Sequence, residues 1–230
     1  RSHWFAVQLN DLGYREGINM ELIVLKANGS AERAELLLQE ALAKATPDLV
    51  VTNATLASIA AAKVLKGTNI PQLFVTVSDP VSAGLVAKTG VSSGKSIAGR
   101  VHNITREIKL KLVLRLIKDN VTTRPIRLGY IHSTYASSVS DIRQLRVITE
   151  KYGDFVFVPY EITYKTFPEN IDYMLAELSK GVKHLEGKVD FFWESLGPFA
   201  ESTEYNELLK AEATVPVVYG ANRESAQAGA

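Results

Sequence analysis

The chain has 230 residues, of which 46% are hydrophobic and 22% charged, so it is long enough for one large domain or two small ones. This composition is that of an ordinary globular protein and excludes disordered, collagen-like and low-complexity chains. The 26 Lys and Arg against 25 Asp and Glu leave a net charge of +1, which provides no overall field to attract nucleic acid or an anionic membrane. Because the sequence contains no Cys, disulfide frameworks, Cys-based zinc sites and a Cys nucleophile are excluded.

The first half of the chain alternates between helical and strand-like patterns. A helix that ends at Gly13 is followed by Met20–Leu25, an apolar run of strand length. Asn28-Gly29-Ser30 is predicted to be a turn, with Ser30 as the N-cap of a helix that ends near Ala45 and buries Leu36, Leu37 and Leu42. Further elements are expected at Pro47–Asn53 (strand and loop), Thr55–Leu65 (helix), Gln72–Val77 (strand) and Ile97–Val101 (strand).

The second half continues this alternation. The elements expected are helices at Arg106–Ile117, Ser138–Tyr152, Pro168–Leu185 and Glu201–Ala211, and strands at Arg127–Ile131, Phe155–Tyr160, Val189–Trp193 and Val215–Tyr219. Short apolar strands separated by helices indicate parallel sheets that helices cover on both faces. We predict an α/β fold with about four strands before Ile104 and four after Arg124. One sheet of eight strands is the alternative, but two sheets of similar size fit the length better.

Residues that directly follow predicted strands are the candidate ligand contacts. In open parallel sheets, ligands bind beyond the carboxyl ends of the strands, where helix N-termini present unpaired N–H groups. The candidates are Asn53, Ala54, Thr55, Ser78, Asp79, Pro80, Ser133, Tyr135, Glu194, Ser195, Asn222 and Glu224. They are rich in hydroxyl and amide groups and poor in groups that perform covalent chemistry. For Thr55, Ser78 or Asn222 taken singly, a role as helix N-cap is an equal alternative.

The usual signatures of enzymes are absent from the sequence. No Gly-x-Gly-x-x-Gly follows a strand, and Gly90–Ser96 imitates a P-loop but has Thr89 where the first Gly is needed. The four His residues are scattered, so neither a metal nor another cofactor is expected. Asp79 and Glu194 remain an alternative acid/base pair, although Asp before Pro80 is typical of a turn.

Two segments carry a resemblance to a known family. With Pro47–Leu56 and Phe74–Val86, the latter containing Ser-Asp-Pro-Val-Ser-Ala-Gly-Leu-Val, the chain resembles the ABC-transporter substrate-binding proteins that take up aromatic amino acids such as tryptophan. Ile97–Arg100 resembles the family's step into the hinge, and Leu128–Ile131 resembles the first strand of its second lobe. The family's second-lobe loop pattern is replaced at His132–Ser138, so the resemblance implies the binding role and leaves the ligand unnamed.

The resemblance implies two Rossmann-like lobes joined by a hinge, as in type I periplasmic binding proteins. It implies an N-terminal lobe at residues 1–103, a C-terminal lobe at residues 104–230, a first strand before Arg1 and a returning segment after Ala230. The implied function is that of the solute-binding component of an ABC import system and not that of an enzyme. Such a protein would be a monomer, periplasmic or otherwise extracytoplasmic, free or lipid-anchored, that delivers a small metabolite to a membrane permease.

The expected mechanism is closure of the two lobes around an amino acid or similar ligand. The ligand would dock on Thr55 and Ser78, with its carboxylate at helix N-termini and its ammonium group near Glu194 or Glu224. One alternative is an enzyme of similar architecture, such as a racemase or a glycosyltransferase, with Asp79 and Glu194 as acid and base. The other is a regulatory ligand sensor, which would need a DNA-binding helix pair that the sequence does not contain.

Overall fold

Two lobes, each built on its own parallel sheet, organise the chain. The computed structural model describes residues 2–101, 106–117 and 125–219. The first lobe comprises α1 (Ser2–Asp11), α2 (Ala31–Lys44), β1 (Val50–Asn53), α3 (Thr55–Val64), β2 (Gln72–Val77) and β3 (Ile97–Val101). The second lobe comprises α4 (Arg106–Ile117), β4 (Ile126–Ser133), α5 (Ala136–Tyr152), β5 (Phe155–Ile162), α6 (Ile171–Leu185), β6 (Phe191–Trp193), α7 (Thr203–Glu212) and β7 (Val217–Val218).

The strand order agrees with βαβ construction. Within the described residues, the first sheet has three strands in the order β1-β2-β3 and the second has four in the order β5-β4-β6-β7. All paired strands run parallel. Their carboxyl ends therefore lie at one edge of each sheet, which is where the sequence predicted a ligand site.

The start of α2 is determined by local sequence. Asn28 and Gly29 adopt left-handed backbone conformations, with φ of 48° and 75°, and form the predicted turn. The Ser30 hydroxyl then accepts a hydrogen bond from the backbone N–H of Arg33 at 3.2 Å, which confirms Ser30 as an N-cap. The helix packs on α3 through Leu38 and the partly buried Leu42.

Two expectations for this lobe are wrong. Met20–Leu25 is not a strand, because apart from an isolated bridge between Glu16 and Met20 it forms no described ladder with a neighbour. Its residues Ile23, Val24 and Leu25 are 57%, 52% and 40% exposed. Leu36 is 56% exposed, and Leu38 instead takes the buried position on α2.

The second lobe has a core on each face of its sheet. In β4, Ile126, Leu128 and Tyr130 point to the face covered by α4 and α5, while Ile131 points to the face covered by α6 and α7. In β6, the neighbours Phe191 and Phe192 divide in the same way. This two-sided burial explains why the strands are continuously apolar.

The lobes face each other with the carboxyl ends of their sheets. The turn after β2 contacts α5, since the Asp79 carboxylate accepts hydrogen bonds from Gln144 at 3.0 Å and Ser140 at 3.4 Å. The turn before α2 contacts the loop after β5, where Asn28 donates to Glu169 at 3.3 Å. The predicted boundary between residues 103 and 104 lies outside the described residues. In the described part of the chain, no helix combines the length and the apolar character that a membrane crossing requires.

Candidate ligand-binding site

The first wall of the site is the N-terminus of α3. The chain leaves β1 at Asn53, turns at Ala54 with φ of 77° and ψ of 161°, and enters the helix at Thr55. This conformation is sparsely populated for a residue other than glycine, and such strain is concentrated at functional sites. The Ala54 N–H is tied to the carbonyl of Val75 in β2 at 3.0 Å. Ala54 contributes no side-chain cap, so the N–H groups of the first helical turn are directed out of the helix without one.

Two hydroxyl groups at this wall are buried without a hydrogen-bond partner among the described residues. They are Oγ1 of Thr55, a residue that is only 4% exposed, and Oγ of Ser78 in the loop after β2. Buried polar groups in native proteins are almost always hydrogen-bonded, so each exception requires an explanation. Capping does not explain them, because the N-cap of α3 is Ala54 and Ser78 precedes a turn rather than a helix. The sequence predicted both residues as ligand contacts.

Asn53 stands at the rim of this wall. Its side-chain oxygen accepts a hydrogen bond from the hydroxyl of Thr76, a β-branched residue with φ of 57°. Asn53 is exposed. The hydrogen bond orients its carboxamide, which leaves the amide N–H groups to donate elsewhere.

Asp79 and Pro80 form the turn that their sequence predicts. The Asp79 carboxylate accepts hydrogen bonds from the Ser82 hydroxyl at 2.6 Å and from the backbone N–H groups of Ser82 at 3.0 Å and Val81 at 3.2 Å. Burial raises the pKa of Asp79, but these hydrogen bonds and one from Ser140 outweigh it and hold the pKa below its ordinary value. Asp79 is therefore an ionised carboxylate saturated with donors, which is unsuited to a general acid.

The second wall is a cluster of hydroxyl groups at the carboxyl ends of β4 and β6. Ser195 Oγ donates to the Tyr130 hydroxyl at 3.3 Å and lies 3.5 Å from Ser138 Oγ, and Ser133 Oγ lies 3.4 Å from Ser138 Oγ. The Tyr130 hydroxyl donates to Asp141 at 2.6 Å. Burial and the charge of Asp141 raise the pKa of Tyr130, so it stays a neutral donor.

Tyr135 is held in place by the same cluster. It is the N-cap residue of α5, and its backbone N–H donates to Ser133 Oγ at 3.3 Å. Its ring is 4% exposed and meets the Tyr164 ring edge-on, with centroids 4.9 Å apart. Gly197, at φ of 121°, packs closely on the Tyr135 ring, because a Cβ there would lie 3.2 Å from that ring.

Glu194 lies deeper, at the end of β6. It is 2% exposed, and its backbone N–H donates to the carbonyl of Val218. Burial lowers the pKa of Lys109 on α4, and the charges of Asp141 and Glu194 partly oppose that effect. Burial and the charge of Glu194 both raise the pKa of Tyr205. Glu194 thus belongs to a buried group of titratable residues that also includes Lys109 and Tyr205.

Most of the predicted residues fall into two groups, one on each lobe, and Asp79 of the first group contacts Ser140 and Gln144 on α5 of the second lobe. Asn53, Ala54, Thr55, Ser78, Asp79 and Pro80 belong to the first lobe, and Ser133, Tyr135, Glu194 and Ser195 to the second. Asn222 and Glu224 lie outside the described residues. Sequence reasoning missed Tyr130, Ser138 and Asp141, because they lie inside β4 and α5 rather than after a strand.

The described residues offer weaker support for a nucleotide site or a metal site. The loop at Gly90–Ser96 leads into β3, whereas a P-loop leads into a helix. With β2 and β3 it lines a cavity of about 660 Å³ within the first lobe. Among the described residues, no group of three or more His, Asp or Glu side chains is arranged to hold a metal ion.

Solved structures similar to this chain share its fold. A conserved domain protein from Vibrio cholerae is 24% identical, with a TM-score of 0.78 over 98% of this chain and 70% of that one. An ABC domain from Streptococcus pneumonia in complex with L-Trp is 18% identical, with a TM-score of 0.69 over 95% and 69% of the two chains. An ABC transporter substrate-binding protein from Desulfitobacterium hafniense in complex with Leu is 15% identical, with a TM-score of 0.56 over 98% and 62%.

A comparison with curated proteins gave no match. The family model described as ABC transporter substrate binding protein matches residues 5–230, which is nearly the whole chain. The two α/β lobes and the facing loops agree with that match. The chain therefore belongs to the family of ABC transporter substrate binding proteins.

Proposed function

We propose that this protein captures an amino acid or a similar small metabolite between its lobes, as the solute-binding component of an ABC import system. The observation that carries the proposal is the pair of buried hydroxyl groups of Thr55 and Ser78, which have no partner among the described residues. Two structurally similar proteins contain L-Trp and Leu, which favours an amino acid among small polar ligands.

The ligand carboxylate is assigned to the N-terminus of α3. Helix N-termini favour anions because their N–H groups are unpaired and the helix dipole is positive there. The backbone N–H groups after Ala54 and the hydroxyls of Thr55 and Ser78 together supply donors for both carboxylate oxygens. The carboxylate would satisfy the two hydroxyls that lack a protein partner.

The rest of the ligand is assigned to the second lobe. The ammonium group requires a negative charge, and Glu194 is our candidate, with Glu224 as the second. Ser133 and Ser195 offer hydroxyls beside it, and Tyr135 offers a ring edge. Closure of the lobes excludes water and strengthens each of these polar contacts.

In this proposal the protein changes no bond and uses no cofactor. The lobes at residues 1–103 and 104–230 close on the ligand as a monomer, and the closed form delivers it to a membrane permease. Delivery to a permease requires an extracytoplasmic location, either free or lipid-anchored.

The proposal is tested by titration calorimetry with the twenty L-amino acids, followed by Thr55→Val and Ser78→Ala with the amino acid that binds. A hydrogen bond to a charged group contributes about 1.5–3 kcal/mol, so each substitution should weaken binding by roughly 10- to 100-fold. Thr46→Val is the matched control, because Thr46 is an exposed threonine between α2 and β1. Absence of binding by every amino acid would exclude an amino acid as the ligand, and unchanged affinity in both site variants would overturn the proposed site.

A further inference from the structure

The contact of Asp79 with α5 joins the two lobes through a partly buried hydrogen-bond network. Asp79 Oδ2 accepts from Gln144 Nε2 at 3.0 Å and from Ser140 Oγ at 3.4 Å. Gln144 Nε2 also lies 3.3 Å from Ser140 Oγ. Because Ser82 and Val81 already hold the Asp79 carboxylate in the first lobe, it meets α5 in a fixed orientation.

Gln144 is oriented by opposite charges at its two ends. Its Oε1 accepts a hydrogen bond from Arg106 Nη1 at 2.9 Å, so its Nε2 is the atom that faces Asp79. A neutral amide thus connects a guanidinium group to a carboxylate, with each of its ends paired to a charge. Hydrogen bonds to charged groups are about twice as strong as neutral ones.

Arg106 connects this contact to the start of the second lobe. It is the first residue of α4, which is the first described element of that lobe. Its guanidinium group also pairs with Asp141, which is 2% exposed and accepts from Tyr130 in the hydroxyl cluster. A continuous network therefore connects the turn after β2, the start of α4 and the second wall of the site.

The other hydrogen bond described between the lobes is weaker. Asn28 and Glu169 are both exposed or nearly so and meet at 3.3 Å through a single hydrogen bond. Exposed polar pairs of this kind contribute little, because water competes for both partners. The Asp79–Gln144 contact is partly buried and has charges on both sides, so it dominates the polar attraction between the lobes.

We propose that Gln144 is a positioning residue, which by joining Asp79 to Arg106 holds the lobes in their contacting arrangement, here called closed. By favouring closure it raises the affinity for a ligand between the lobes. That consequence rests on the proposed function, whereas the effect on closure itself can be measured without a ligand.

The test measures the distance between the lobes in solution. Because the sequence has no Cys, spin labels attach only at introduced ones, and Glu40→Cys on α2 with Ala176→Cys on α6 places one on each lobe at an exposed position. Gln144→Glu sets a carboxylate against Asp79, so pulsed electron paramagnetic resonance should show the short-distance population reduced by roughly tenfold.

A double variant that exchanges the carboxylate and the amide between positions 79 and 144 should restore the contact between the lobes. In Asp79→Asn combined with Gln144→Glu, the Asn amide donates to the new carboxylate, which still pairs with Arg106. The Asn oxygen can still accept from the N–H groups of Val81 and Ser82. We expect this double variant to restore the short distances. Arg143→Gln is the matched control, because it lowers the charge of α5 by the same amount at a neighbouring exposed residue.

Each outcome decides the proposal. Unchanged distances in Gln144→Glu, equal lengthening in Arg143→Gln, or failure of the double variant to recover would each overturn it. Should Gln144→Glu fail to fold, Gln144→Met removes the same hydrogen bonds without added charge and should also lengthen the distance. Failure of all amino acids to bind would remove the amino-acid ligand from the proposed function and leave these distances as they are.

Discussion

His132 illustrates how burial alters the chemistry of a single residue. Its ring is 5% exposed at the end of β4, with Nδ1 3.3 Å from the Ser133 carbonyl and Nε2 4.0 Å from Glu161 on β5. Burial lowers the pKa of His132. The Ser133 carbonyl, Glu161 and Asp141 on α5 oppose this effect, and Arg146 on α5 adds to it. His132 is therefore neutral in the folded protein at a pH where it is partly protonated in the unfolded chain.

This difference predicts a loss of stability on acidification. A histidine with a depressed pKa stabilises the fold above its unfolded pKa, near 6.5, and that stabilisation is lost as the pH falls below it. We expect the decrease in melting temperature between pH 7.5 and 5.5 to be smaller in His132→Gln than in the natural sequence. An equal decrease in both proteins would contradict the prediction.

For single residues, the sequence pointed to polar side chains that follow a strand, but it did not point to polar side chains that lie within a strand or a helix. Thr55 and Ser78 were named as candidates because parallel strands direct the residues after them to one edge. Tyr130 was missed because it lies within an apolar strand, where a tyrosine looks like any core residue. Ser138 and Asp141 lie in the first two turns of α5, and only the packing of that helix on β4 shows that they face Tyr130.

Pairing with a neighbour explains where the strand predictions succeeded and failed. β4 and β5 form an unbroken ladder from Ile126 to Ser133, and both strands are longer than the sequence predicted. β7 contains only Val217 and Val218 because it pairs with the three-residue β6. For Met20–Leu25, apolar character alone predicted a strand, but a ladder also requires a partner. The range described for α4, Arg106–Ile117, agrees with the predicted helix, because its amphipathic pattern is local.

The pairing of β2 with β3 predicts a strict requirement for glycine at one position. Gly99 lies opposite Phe74, and a Cβ on Gly99 would overlap both the ring and the carbonyl oxygen of Phe74. We expect Gly99→Ala to lower the melting temperature of the protein, because the two strands must separate to admit the methyl group. Ala98→Ser, at the neighbouring exposed position of β3, should have little effect. Equal melting temperatures for the two variants would contradict the overlap.

Over the whole molecule, the two lobes differ in the extent of their cores. The second lobe buries large apolar side chains on both faces of its sheet. The first lobe has two small clusters, centred on Leu38 and Phe74, while Leu49 and Val51 beside β1 are 48% and 36% exposed. Because burial of apolar surface is the main source of stability, the second lobe is expected to be the more stable body.

Hydrogen exchange can measure this difference directly. Amide groups exchange through local opening, and regions with few buried apolar contacts open more readily. We expect the amides of β1–β3 to exchange at least about tenfold faster than those of β4 and β5, after correction for intrinsic rates. Mass spectrometry of peptic fragments resolves the two sheets. Equal protection in both would show that the lobes open as one cooperative unit.

The arrangement of loops along the chain has a consequence for receptor engineering. Among the described residues, the first-lobe loops that face the second lobe precede Val101, and the second-lobe loops that face them follow Arg106. These two sets of loops therefore lie in consecutive stretches of the described sequence. A chimera with a single crossover between these stretches would exchange the described loops of one lobe as a block and keep those of the other, which suits the architecture to modular biosensors.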